Sequence, residues 1–110
     1  MPCKCLSRYQ ARKKIKEHPI RYGSRHLAII VGHTNKRRGA YSPALGKYEY
    51  EYNSEFATLL KLEVVRAGGT ATIHFRDDVG IHGAYLRALE TGPAAVIELH
   101  FNAYSGRLRS

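Results

Sequence analysis

Two histidines and a pair of nearby glutamates are the residues of this 110-residue chain whose types could do chemistry together. His33 directly follows the apolar run Leu27-Ala28-Ile29-Ile30-Val31-Gly32, and His100 ends the stretch Val96-Ile97-Glu98-Leu99. Between them, Lys47-Tyr48-Glu49-Tyr50-Glu51-Tyr52-Asn53 sets two carboxylates just before or within the first turn of a helical segment. Two imidazoles and one carboxylate, with a fourth position open, are the ligand types and count of a catalytic zinc site. Separations of 16 and 51 residues match no short metal motif, so only the fold can bring these groups together. On residue type alone, Glu49 and Glu51 compete for the carboxylate position.

The elements that must do the positioning are legible in the hydrophobic pattern. Residues 27–31 form a continuous apolar run, which reads as a strand buried on both faces. Residues 32–47 read as loop, with Gly39, Ser42, Pro43 and Gly46 as turn formers. From about residue 52 the period becomes helical, with Tyr52, Phe56, Leu60, Val64 and Ala67 as the apolar stripe and Gly68-Gly69 as the stop. Residues 70–75 are β-branched and short, a second strand; 81–89 form a second helix closed by Gly92-Pro93; 94–101 form a third strand. Asp77-Asp78, after a strand and before a helix, read as N-capping residues. The order strand-helix-strand-helix-strand predicts an α/β fold, an open and mostly parallel sheet with flanking helices. In such sheets function collects beyond the carboxyl ends of the strands. If the first and third strands are neighbours, His33 and His100 converge there.

Composition sets the outer bounds. An apolar fraction of 44% with 25% charged residues is that of a folded domain. No stretch approaches the roughly 20 apolar residues of a membrane span. The net charge of +9 is unevenly placed: residues 1–26 hold eight basic groups against Glu17 alone, and the remainder is nearly balanced. The basic signal thus belongs to residues 1–25, read as a flexible N-terminal extension with at most a short polar helix near residues 10–17. Residues 26–110 are read as the folded domain. Such a leader is the footprint of nucleic-acid binding in some proteins and a solvated arm in others; nucleic acid is not the expected partner here. Cys3 and Cys5 form no disulfide framework and stay unassigned.

His33 after an apolar strand, Glu49-x-x-x-Asn53 opening a helix, Gly68-Gly69, and Ile97-Glu98-Leu99-His100-Phe101-Asn102-Ala103 together resemble the zinc-dependent N-acetylmuramoyl-L-alanine amidases. The likeness is to the catalytic domains of phage endolysins and bacterial cell-wall hydrolases and spans about residues 27–106. It implies zinc held by His33, Glu49 and His100 and peptidoglycan as substrate; Asn102 is a candidate for binding and orienting substrate or for stabilising the loop after His100. It favours Glu49 over Glu51, since only Glu49 has the four-residue spacing to Asn53. The family shows Gly-His-Gly at its first ligand where this chain has Gly32-His33-Thr34, and it carries a catalytic glutamate beyond the region matched here. The resemblance therefore implies a domain incomplete at its C-terminus, with activity weak or absent. Glu98 is the one candidate substitute. Period two puts it on the face of His100, about 6.6 Å back along the strand, where pairing with Arg76 or His74, or orienting His100, suits it better than acting as a base. No signal peptide is read at the N-terminus, so the expectation is synthesis in the cytoplasm and action at the cell wall. The alternative function is a non-catalytic amidase-like or basic nucleic-acid-binding module.

Overall fold

The computed structural model describes residues 7–100, apart from the side chains of Arg8 and Ala11. Its elements in order are α1 (Arg8–Lys16), β1 (His26–Val31), β2 (Tyr41–Ser42), β3 (Lys47–Tyr48), α2 (Glu49–Arg66), β4 (Thr70–Phe75), α3 (Gly80–Glu90) and β5 (Ala95–Leu99). The fold is α/β, with a parallel three-stranded sheet of order β4-β1-β5 flanked by helices. The apolar run is the central strand. Ala28, Ile29, Ile30 and Val31 are fully buried because both faces of β1 are covered. Ile29 and Val31 pack with Ala57 and Ala71 on the α2 side, while Ala28 and Ile30 pack with Ala84 and Ala88 of α3 on the other. Alanines on α3 let that helix sit close to the sheet. Truncating Ile29 or Ile30 to alanine in such a core costs about 2–5 kcal/mol.

Three details differ from the sequence reading, each for a physical reason. First, α2 starts at Glu49 and turns a different stripe inward. Glu49, Asn53 and Ala57 are buried and Leu60 and Val64 half-buried, whereas Phe56 and Ala67 lie exposed. The positions 49, 53, 57, 60 and 64 are themselves a helical stripe. Its polar beginning hid it, because burying Glu49 and Asn53 makes sense only once the strand ends are in place. Second, the segment expected as loop holds the small antiparallel pair β2–β3. Tyr41 and Tyr48 face each other across it with ring centroids 4.9 Å apart, the kind of cross-strand aromatic contact that sustains a short ladder.

Third, the N-terminal stretch read as an extension contains α1, which lies against α3. A capping box starts this helix: Ser7 Oγ accepts from the Gln10 N–H at 3.1 Å and Gln10 Oε1 accepts from the Ser7 N–H at 3.0 Å. The chain is then joined to the sheet region by backbone bonds. Arg21 N–H donates to Pro93 O and Thr70 N–H donates to Arg25 O, both at 2.9 Å. The α2 stop is as expected, with Gly68 at φ +94°, a conformation that costs glycine little. Among the described residues, no helix is long and apolar enough to cross a membrane.

Candidate metal centre

β1 and β5 are neighbours, in register Val31 with Leu99, and the ladder continues one step further through a 3.1 Å bond from Gly32 N–H to Leu99 O. The residues that follow these two strands are therefore brought side by side. The rings of His33 and His100 meet edge to face with centroids 5.3 Å apart. Glu49 comes to the same point from the first turn of α2. Its backbone N–H donates to Ala40 O at 2.7 Å, Tyr50 N–H donates to Arg38 O at 3.0 Å, and Ala40 N–H donates to Glu49 Oε1 at 3.2 Å. The loop 38–40 thus fixes both the helix start and the rotation of its first carboxylate.

The remaining oxygen, Glu49 Oε2, lies 3.2 Å from His33 Nε2 and 3.1 Å from His100 Nδ1. Glu49 is only 3% exposed, while the two imidazoles are 34% and 40% exposed, so the group has a buried floor and an open side. One ligand atom from each residue can be chosen such that all lie within 4.8 Å of one another. Two nitrogens and one carboxylate oxygen at that separation fit a divalent cation with an open position. Glu51 is placed elsewhere. Its Oε1 accepts from the Tyr48 N–H at 3.1 Å, capping α2, and its Oε2 pairs with Arg38 at 3.2 Å. The competition between the two glutamates is resolved by the helix itself, since adjacent odd positions point about 200° apart on its surface.

Space around the group is tight in ways that single out two glycines. A Cβ at Gly32 would come 2.6 Å from His100 Nδ1 and 2.6 Å from Leu99 O. A Cβ at Gly39 would come 2.7 Å from His33 Cδ2 and 2.8 Å from Glu49 Oε1, and Gly39 also has φ +79°. His33 itself has φ +67°, left-handed backbone that a histidine adopts at some cost. The sequence reading treated Gly39 as a turn former and missed the steric role of both glycines. The available signal was that Gly32 adjoins a candidate ligand.

The surroundings of the site also depart from expectation at Asp77. The N-cap of α3 is Val79, and Asp77 instead ties the site loop to α2. Asp77 Oδ1 accepts from the Asn35 N–H at 2.7 Å and Oδ2 from the Tyr50 hydroxyl at 2.8 Å. Burial first, and then that bond to the Asp77 carboxylate, push the Tyr50 phenol up to about 12. On β5, Glu98 meets two of the three partners that the sequence offered, Arg76 and His100 but not His74. Its Oε2 lies 2.9 Å from His100 Nε2 and 3.6 Å from an Arg76 guanidinium nitrogen. The Tyr85 hydroxyl of α3, which sequence reasoning did not single out, donates to Glu98 Oε1 at 3.2 Å. Burial, reinforced by the Glu98 charge, raises the Tyr85 phenol above its ordinary range. His74 points into a different cluster, bonded to Thr72 at 2.7 Å. Asn102, the rest of the His-Phe-Asn-Ala tetrapeptide after His100, and Cys3 and Cys5 lie outside the described residues. Compared with known proteins, the chain matches no family model, no curated protein and no solved structure.

Proposed function

We propose that this protein is a zinc amidohydrolase that cleaves the amide between the N-acetylmuramoyl lactyl group and L-alanine of peptidoglycan. The observation that carries the reading is the convergence of His33, Glu49 and His100, with the carboxylate buried and the imidazoles open to solvent. The resemblance of these same three residues, in their local contexts, to the amidase pattern supplies the substrate class. Zinc, when bound there, would polarise the scissile carbonyl and bring the pKa of a bound water down towards about 7.

What the chain's own residues contribute is preorganisation. Glu49 is held by Ala40 N–H on one oxygen, which leaves the other directed between the two imidazoles. The β1–β5 ladder fixes the separation of those imidazoles, so the donor set needs little rearrangement to accept a cation. Asp77 and Tyr50 brace the loop that carries His33 against α2. Beside the site, the loop 36–38 presents Lys36 and Arg37 exposed to solvent. Cationic groups there suit a substrate bearing carboxylates, such as the peptide stem of peptidoglycan.

The test is release of free amine from purified peptidoglycan by the zinc-loaded chain, with mass spectrometry of the products. New N-terminal alanine on the released peptides, lost in His33→Ala and His100→Ala, is the expected result. Metal-dependent cleavage at another bond would assign a different hydrolase. No cleavage of any wall substrate by a protein shown to hold stoichiometric zinc would leave a metal-binding module in place of an enzyme.

A further inference from the structure

We propose that Glu98 is a positioning residue for the metal centre, fixing the ring of His100 so that Nδ1 faces Glu49 and His33. The inference rests on the metal-site reading above and adds to it which nitrogen of His100 serves as ligand and what holds it there.

The backbone sets the geometry. Glu98 sits opposite Ile30 in β1, and His100 lies two residues on, past the last strand position. Both therefore leave the same side of β5. The imidazole is held between two carboxylates: Nδ1 is 3.1 Å from Glu49 Oε2 and Nε2 is 2.9 Å from Glu98 Oε2. A neutral imidazole has one N–H and one lone pair, and an acceptor at one nitrogen puts the N–H there and leaves the lone pair at the other. Both nitrogens face a carboxylate, and without a cation the aligned hydrogen bond is the one between Nδ1 and Glu49 Oε2; a cation held by Glu49 and His33 would take the Nδ1 lone pair, which puts the N–H on Nε2, towards Glu98. A carboxylate behind a ligating histidine is the usual way in which ring orientation and tautomer are set at metal sites.

Glu98 is itself built in. Its side chain is 12% exposed, Tyr85 donates to one oxygen, and Arg76, the residue after β4, lies 3.6 Å from the other. Carboxylates buried in a sheet are costly unless partnered, so partners drawn from α3 and from the end of β4 indicate a fixed position. A salt bridge to Arg76 alone does not account for it. Arg76 is the more distant of the two cations or donors at Oε2, and the Arg76 Nε has no hydrogen-bond partner among the described residues. Glu98 Oε2 likewise makes no aligned hydrogen bond among them, which leaves an open acceptor 2.9 Å from Nε2.

The experiment is zinc titration of the full chain, by competition with a chromophoric chelator, for wild type, Glu98→Ala and Glu98→Gln. Glu98→Ala is expected to weaken zinc by about 10–100-fold. Glu98→Gln, whose amide oxygen still accepts from Nε2–H, is expected to recover most of that loss. Long-range proton–nitrogen NMR of the zinc-loaded wild type is the second readout, with His100 expected as the Nε2–H tautomer. A low-field, exchange-protected Nε2–H in that spectrum is the mark of its bond to Glu98, which a merely structural glutamate would not give, and the measurement stands even if Glu98→Ala fails to fold. Wild-type affinity in Glu98→Ala, or an Nδ1–H tautomer in the loaded protein, would overturn the positioning role while leaving the metal centre intact. A wild-type chain that binds no zinc would remove the metal centre itself, and this role with it.

Discussion

Glu49 and Glu51 are two residues apart, of the same type and in the same helical turn, yet the structure gives them opposite fates. That makes their alanine variants a sharp test of the metal centre. Glu51 is 40% exposed and pairs with an Arg38 side chain that is 46% exposed. Such a surface pair contributes about 0–1 kcal/mol, and the capping bond to Tyr48 N–H adds about 0.5–1.5 kcal/mol. Glu51→Ala should thus lower the melting temperature of the metal-free protein by several degrees and leave its response to zinc unchanged. On the proposed reading Glu49 would contribute a ligand oxygen, so its removal should weaken zinc by more than the roughly 10–100-fold carried by groups that only orient ligands. Linkage turns this into a thermal shift. At a free zinc concentration of about 100 times Kd, binding stabilises the native state by about 2.7 kcal/mol. For a domain of this size that amounts to about 10–20 °C in melting temperature. The assay is thermal unfolding by circular dichroism with and without zinc, for wild type and the two variants. A large zinc-induced rise in wild type and Glu51→Ala, and little or none in Glu49→Ala, is expected. Equal shifts in both variants would refute the assignment of the carboxylate ligand.

Gly32→Ala should weaken zinc binding and destabilise the fold by about 1–3 kcal/mol, because the new methyl meets the His100 ring and the Leu99 carbonyl; unchanged zinc titration would show that the ring has room to move. The His74 pKa is lowered, chiefly by burial and then by the neighbouring His26 and Arg87 charges. The unfolded chain therefore binds a proton at His74 before the folded one does, so this residue's contribution to stability falls as pH drops below about 6.5. Urea midpoints between pH 7.5 and 5 should decline less in His74→Gln than in wild type, and parallel declines would refute that origin. Deleting residues 1–25 removes the Arg21–Pro93 and Arg25–Thr70 backbone bonds and should cost about 1–3 kcal/mol; an unaltered urea midpoint would mean that the segment contributes nothing to the fold.

The sheet was readable from sequence because β1 is apolar on both faces and each crossover helix is followed by a glycine stop. Those are local patterns, and they already imply parallel strands. Adjacency of β1 and β5 was not local, and the sequence could offer it only as a condition for His33 and His100 to meet. The rotation of α2 was the main misreading. Its inward stripe begins with a glutamate and an asparagine, so an apolar period search settles on Tyr52 and Phe56 and places the helix start near residue 52. Asp77 was read by its sequence position as a helix cap, but two better-placed donors, the Asn35 N–H and the Tyr50 hydroxyl, take its oxygens. Tyr85 and Arg76 could not be matched to one another from sequence, since they reach Glu98 from different elements. The short β2–β3 pair escaped because two residues per strand leave no period to detect.

The places where local rules fail are concentrated at one point, and that concentration bears on function more than any single contact does. A carboxylate that is only 3% exposed lies beside apolar strand ends. A histidine holds a left-handed backbone conformation, and a glycine at φ +79° packs against both of these residues with no room for a methyl group. Each of these features costs stability when considered alone. A domain near 100 residues has only a modest margin to spend, and nothing in the packing of β1 against α2 and α3 requires any of them. A metal site would account for them, because three ligand atoms from separate elements would then have to approach one another closely enough to share a cation. Local conflict of this kind, surrounded by an otherwise consistent core, is characteristic of positions retained for chemistry. By that reasoning the cation, once bound, offsets a cost that the polypeptide already carries, and replacing Glu49 by a non-ligating residue should harm the loaded state far more than the metal-free one.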